Sequence, residues 1–337
     1  MADQNNFIQN YKLFVTKNPL LANEIEVGLK WMSYIVAGRF SQSQVITELI
    51  HCASNLLTLL NDSILRKSIG IPVHINVAVE KLQTYLAVLE YAEVFAEIAA
   101  RRLSGNRGRW FIIVSVQVVK TFIRSVLLLK YEQGLQLSPP IPPLNRRREI
   151  SLAESKSKKL SSTEKTDDST FTLKRSGRVI RTLETAPPLT ARSWKVPKSE
   201  NNTNLPLRNP TKLVNRHFTA EMLHLFRPLI HLLSVGAFGE LSWKPWVVAL
   251  GIDIASLHML KENEKFNRTE RIEINRRALT MLIYLLRSPF YDQVSKTHVI
   301  NLLKQLADTI PGSGLILRPL IEYLPEWQQS YFYTWDA

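Results

Sequence analysis

The chain has 337 residues, 45% of them hydrophobic, with 12 glycines, 17 prolines, one cysteine and a formal charge of +14. That composition excludes a collagenous or globally disordered chain. The lone thiol, Cys52, excludes an internal disulfide framework and suits a reducing compartment. The charge is local. Residues 1–144 carry a net +4; residues 145–216, with 17 Lys and Arg against 7 Asp and Glu, carry +10; and residues 217–337 hold 12 of each sign. MADQNNFIQNYKLFV lacks a charged stretch leading into an apolar one, so a cleaved secretory signal is not expected. YFYTWDA reads as neither a matrix-import tripeptide nor a prenylation box.

In chain order, Asn18-Pro19 opens a helix through LLANEIEVGLKWMSYIVAG, with proline at the first helical position, and a second follows from Ser41 through VITELIHCASNLLTLLNDSILRK. A third runs from about Asn76 to Leu103 and aligns Glu90, Glu93 and Glu97 as one acidic stripe. The next segment, RGRWFIIVSVQVVKTFIRSVLLLKYE (Arg107–Glu132), has the length of a membrane span but carries Lys120 and Arg124 near its middle. Its 13 Phe, Ile, Val and Leu residues favour insertion by about 4–8 kcal/mol and the two cations oppose it by about 5–7, so alone it is a marginal span. Gln117, Lys120, Thr121 and Arg124 recur at i, i+3, i+4 and i+7, one narrow polar stripe on an apolar cylinder, with Trp110 and Tyr131 at the ends as candidate interfacial anchors. Either the stripe faces other helices or a partner within a membrane-associated helix at 110–131, or the helix lies in a soluble core with the stripe at its surface.

SPPIPPLN (Ser138–Asn145) breaks the helical pattern, and RRR, KSKKLSSTEKTDDS and KSENNTN continue as polar, basic chain. We read 138–214 as a Pro-rich, then basic, mostly disordered linker. Within it, 174–195 mixes Lys174, Arg175, Arg178 and Arg181 with Val179, Ile180 and Trp194, a candidate segment for docking on a partner or a lipid surface. Helical periodicity returns over 218–237, 246–260, 269–287, 295–309 and 318–324. Residues 228–260 form an apolar hairpin whose corner is Trp243, Lys244 and Trp246, either interfacial or buried. The fold class is all-α: a multi-helix, membrane-associated protein with helical blocks at 1–137 and 215–337.

No catalytic constellation stands out: CxxC, HExxH, P-loop, Rossmann and GxSxG patterns are absent. His51 and Cys52 are sequence neighbours that point about 100° apart on a helix, and a buried thiol is the expectation. His217, His224 and His231 track one helix face without the further ligands a metal needs, so no metal and no cofactor are expected. The basic linker would attract any polyanion in a salt-sensitive way, but no module reads bases, so no specific nucleic acid is expected.

AGRFSQSQVITELIHCASNLLTLLNDSILRK, LQLSPPIPPL, KRSGRVIRTLETAP, SWKPW, LLRSPFYD and PGSGLILRPLIEYLPEWQQSYFYTW, in that order, closely resemble the peroxin-16 family. The resemblance implies a non-enzymatic biogenesis factor resident in the peroxisomal membrane and partly in the endoplasmic reticulum membrane, with its termini in the cytosol. It implies recruitment of the docking factor peroxin-3, which receives the chaperone peroxin-19 with new membrane cargo, and spans near 110–131 and 222–243. The family's basic targeting stretch after ILRK reads SIGIPVHINVAVEK here, leaving Arg66, Lys67 and Lys81 as its cations. Two spans with cytosolic termini would place the +10 linker in the lumen, against the bias of basic loops for the cytosol. Helices that enter the cytosolic leaflet without crossing satisfy that bias. The rival class is a soluble or peripheral helical scaffold that docks to acidic partners or anionic membranes through the linker.

Overall fold

A computed structural model describes residues 2–39, 44–70, 76–147, 170–172, 179–181, 211–213, 215–240, 242–261, 266–284, 287–309 and 314–332. The helices are α1 (Ala2–Lys17), α2 (Pro19–Arg39), α3 (Gln44–Ile69), α4 (Val77–Leu129), α5 (Arg216–Phe238), α6 (Trp243–Lys261), α7 (Arg268–Ile283), a π-helical turn (Tyr291–Ser295), α8 (Lys296–Thr309) and α9 (Gly314–Gln329). The all-α expectation holds, with one short addition. β1 (Thr170–Thr172) pairs antiparallel with β2 (Val179–Arg181), Phe171 opposite Ile180. The sequence reading assigns no strand there and no helix before Pro19; α1 and this hairpin are what it missed.

The chain divides into two compact units. The first takes Met1–Ala22, Asp62–Pro72 and Pro143–Arg208. Its centre is Asp62, near the end of α3, which accepts the Leu144 backbone N–H at 2.9 Å and the Arg146 guanidinium at 2.9 and 3.1 Å. Arg146 also donates to the Pro19 carbonyl at 3.4 Å. Both side chains of this pair are buried, and two guanidinium N–H groups converge on Asp62 Oδ1 in a charge-assisted contact.

The second unit takes Asn23–Asn61, Val73–Pro142 and Asn209–Ala337. α2 meets α3 through Glu26, which accepts Asn61 Nδ2 at 2.6 Å on its side chain and Ser54 Oγ at 3.1 Å on its carbonyl. Leu59 of α3, Ala87 of α4 and Ile141 form a small core with Tyr91 against it. This corrects the linker expectation for its first residues: 138–147 are packed, because Ile141 supplies apolar surface and Arg146 finds a buried carboxylate.

α4 is a hairpin of two helical arms. Asn76 caps its start by accepting the Ala78 N–H at 2.9 Å, and the chain reverses at Gly105, whose φ of 68° and ψ of −155° suit glycine alone. At Gly108 a Cβ would lie 2.4 Å from Ser104 Cβ, so the turn needs the bare backbone there as well. α5 and α6 form a second antiparallel pair around Gly239, with Ser256 Oγ donating to the Ala220 carbonyl at 2.9 Å. Pro228 sits inside α5 and withdraws one backbone donor.

The largest core joins Ile113, Trp246, Ala249, Tyr284, Tyr331 and Phe332. The Trp246 ring stacks on Phe290 at 5.3 Å and on Tyr284 at 5.7 Å, and Trp110 meets Tyr331 edge-on at 5.9 Å. Truncating a ring such as Trp246 to alanine costs about 3–5 kcal/mol in a core of this kind.

Candidate membrane-facing surface and its buried ion-pair ladder

The stripe at Gln117, Lys120, Thr121 and Arg124 turns inward onto the acidic stripe of the first arm of α4. Lys120 Nζ lies 2.8 Å from Glu93 Oε2, Arg124 Nη2 2.7 Å from Glu90 Oε1, and Arg109 Nε 2.9 Å from Glu97 Oε1. Each step outward from the Gly105 turn joins residues further apart in sequence, as antiparallel arms require. The stripe thus meets the other arm of this chain's own hairpin and not the surface.

The opposite side of the same arm is apolar and open. Phe111 is 71% exposed and Phe122 68%, while Lys120 and Gln117 are 1% exposed. Val114, Val118, Val119 and Leu129 continue the open face. A helix bathed in water does the reverse, since burying an ion pair loses several kcal/mol of hydration per ion and exposing a large apolar side chain forfeits about 1.5–3 kcal/mol. Both choices become favourable when the outer medium is hydrocarbon. From Phe111 to Leu129 the open face rises about 27 Å, close to the roughly 30 Å of a bilayer core. Among the described residues α4 is the one helix long and apolar enough to cross a membrane. α5 and α6 repeat the pattern: Leu233, Phe238, Val247 and Ile254 are exposed, and Glu221, His231 and Asp253 are buried.

Beside the ladder is a cleft of about 180 Å³ lined by Glu90, Glu93, Lys120, Arg124, Glu221, His224, Arg227, Glu273, Arg276 and Arg277. Its wall is organised by Arg277 of α7, which donates to Glu221 at 2.7 and 3.0 Å, to Glu273 at 3.2 Å and to the Gln136 carbonyl at 2.8 Å. Burial disfavours the Arg277 charge, yet the carboxylates of Glu221 and then Glu273 override it and push its pKa above the ordinary value. Arg227 and His224 of α5 both face Asp253 of α6. Cations and carboxylates therefore satisfy one another here, and the cleft has room for water or a small polar group. Among the described residues no group of three or more His, Cys, Asp or Glu side chains is placed to hold a metal ion.

The other expected site residues are placed as follows. Trp110 is half-buried against Tyr331, and Tyr131 is half-buried below Lys130, whose Nζ stands 5.7 Å from the ring. At the hairpin corner Trp246 is a core residue, so it is no headgroup anchor. Trp243 is 38% exposed, and Lys244 sits 4.4 Å over the Phe238 ring. Of the three cations expected to serve targeting, Arg66 is buried and Lys67 and Lys81 are exposed. Lys174, Arg175, Arg178 and Trp194 lie outside the described residues, and Arg181 ends β2. Cys52 is buried, and burial followed by the nearby Glu48 charge pushes its thiol up.

The sequence reading missed the Arg277 cluster. Its signal was Glu273 and Arg277 at i, i+4 on α7 together with an isolated Glu221 in an apolar helix. It also missed Glu97 as the holder of the C-terminal aromatic turn: the backbone N–H groups of Tyr331 and Phe332 donate to its two oxygens at 2.7 and 3.0 Å, and Arg109 donates to the Gln329 carbonyl at 2.8 Å.

The model of the family described as Peroxisomal membrane protein (Pex16) matches residues 9–329. "Peroxisome biogenesis protein 16" of Arabidopsis thaliana is 21% identical over 366 aligned positions, covering 97% of this chain and 99% of that protein. "Peroxisome biogenesis factor 16" of Dictyostelium discoideum is 32% identical over 125 residues, covering 36% of this chain and 31% of that one. No solved structure matches. The apolar exterior and charged interior of α4 are what a membrane-resident member would present, and with the match running over nearly its full length the chain belongs to the Pex16 family of peroxisomal membrane proteins.

Proposed function

We propose that this chain is a membrane-resident, non-catalytic receptor and assembly factor that recruits peroxin-3 and thereby supports peroxin-19-dependent insertion of peroxisomal membrane proteins. The observation that carries the membrane-resident half is the α4 hairpin, which zips its charges inward and turns an apolar face of about bilayer height outward. Family membership supports the biogenesis half. In this reading the protein reaches peroxisomes partly through the endoplasmic reticulum and keeps its termini in the cytosol. Lys67 and Lys81 contribute to targeting, and the segment around Lys174, Arg175, Arg178, Arg181 and Trp194 docks a partner or headgroups.

The test uses cells that lack the chain. Re-expression restores peroxin-3 to membranes, and the protein resists extraction at alkaline pH while detergent releases it. Release by high salt alone, or peroxin-3 recruitment that is equal without the chain, overturns the proposal; release by salt alone is the outcome the peripheral-scaffold reading requires. Protease digestion of sealed membranes, with a tag near Asn201, fixes the side on which the linker lies.

A further inference from the structure

The tip of the α4 hairpin, residues 101–107, is exposed throughout. It carries Arg101, Arg102 and Arg107, with Leu103 standing 86% exposed among them. Among the described residues none of these three arginines enters an ion pair, whereas Arg109, just past the turn, folds back on Glu97. In sequence the nearest carboxylate is Glu97, already taken by Arg109 and the Tyr331 and Phe332 N–H groups, and the next acidic residue is Glu132. The apolar outer face begins at Phe111, about one helical turn beyond Arg107.

We propose that this tip is a lipid-contact site that takes the phosphates of anionic phospholipids, with Leu103 entering the boundary of the acyl chains. Three guanidinium forks without counter-charges match phosphate oxygens in pairs, as single ammonium points do not. A bilayer surface is the occupant, rather than an acidic protein, because the cationic tip and the apolar face of hydrocarbon height belong to one continuous helix. Cations then lie at headgroup level while the face between them and Lys130 lies in lipid. The inference rests on the lipid-facing reading of that outer face, and the experiment separates the two.

Full-length protein with Cys52→Ser is labelled with an environment-sensitive fluorophore at Leu103→Cys or, separately, at Phe122→Cys. In detergent, short-chain phosphatidylserine shifts the emission at position 103 to the blue, while short-chain phosphatidylcholine or inorganic phosphate at equal concentration does not. Each arginine near an anionic surface contributes about fivefold, so Arg101→Gln, Arg102→Gln and Arg107→Gln together weaken that response about 100-fold. Charge reversal of the linker lysines Lys156, Lys158 and Lys159 leaves it unchanged. In phosphatidylcholine–phosphatidylserine vesicles the label at position 122 reports hydrocarbon and the label at 103 reports the interface. A label at 103 that stays in water while 122 is in lipid overturns the tip proposal and spares the membrane reading. A label at 122 in water overturns the membrane reading itself. An equal response to inorganic phosphate, or one that survives the triple substitution, also overturns the tip site.

Discussion

The α4 hairpin and the α5–α7 bundle both bury cations, and they differ in what surrounds them. In α4 ion pairs follow one another along a seam, Lys120 to Glu93 and Arg124 to Glu90, and the outside of the second arm is apolar. In α7 a single Arg277 binds Glu221, Glu273 and the Gln136 carbonyl, and the outside of the helix mixes Arg268, Arg271 and Asn275 with exposed Ile272, Leu279 and Leu282. A seam of separate pairs can be replaced pair by pair. A hub cannot, because removing it takes a donor from two buried carboxylates and a carbonyl at once.

The hub and the seam share the largest expected effects of a single substitution. Arg277→Met leaves Glu221, which is fully buried, without its partner and destabilises the fold by about 3–5 kcal/mol, read as a lower thermal midpoint in detergent. Adding Glu221→Leu does not restore the midpoint, since the Gln136 carbonyl still lacks its donor and Glu273, although held by Arg276, has lost its second cation. A full recovery would erase the distinction between hub and seam.

The outer faces come next. Phe122→Arg places a charge toward lipid and disfavours insertion by about 2.5–3.5 kcal/mol, so the protein becomes extractable without detergent. Ile272→Arg, on the outside of α7, changes stability by less than about 0.5 kcal/mol. Equal effects at both positions would mean that the two surfaces share one medium.

At the seam, Lys120→Leu alone costs about 3–5 kcal/mol, whereas Lys120→Leu with Glu93→Leu returns stability to within about 1 kcal/mol of the original. The double-mutant cycle is therefore strongly coupled here. A smaller effect than that of Lys120→Leu alone belongs to the turn that brings the arms together. Gly105→Ala forces a side chain into left-handed backbone and lowers stability by about 1–2 kcal/mol, measurable by denaturation in the same detergent.

Much of the seam was legible beforehand. Spacing alone places Glu90, Glu93 and Glu97 on one helix face and Gln117, Lys120, Thr121 and Arg124 on another, because 3.6 residues per turn is a local property. That these two faces meet was not legible. Periodicity says which residues share a side and nothing about which helix that side meets. Trp246 shows the same limit: a tryptophan beside lysine and proline suits a membrane interface or a core equally well, and only the stacked Phe290 and Tyr284 decide for the core. The stretch Ser138–Asn145 is a case of local signals misleading, since prolines forbid helix but do not forbid packing, and Asp62, about 80 residues earlier, captures Arg146.

The amino-acid sequence by itself determined the helical class, the positions of the breaks, the confinement of charge to the middle of the chain and the two complementary stripes. Each of these follows from backbone geometry or composition within a few turns of helix. The tertiary structure decided that Lys120 and Arg124 are neutralised within the chain, that Arg277 is a hub, that the C-terminal aromatics are held by Glu97, and that the arginines of the hairpin tip are left facing outward. Those outcomes depend on contacts between residues tens to hundreds of positions apart. Such contacts are selected by the joint burial of whole faces, which no local window contains.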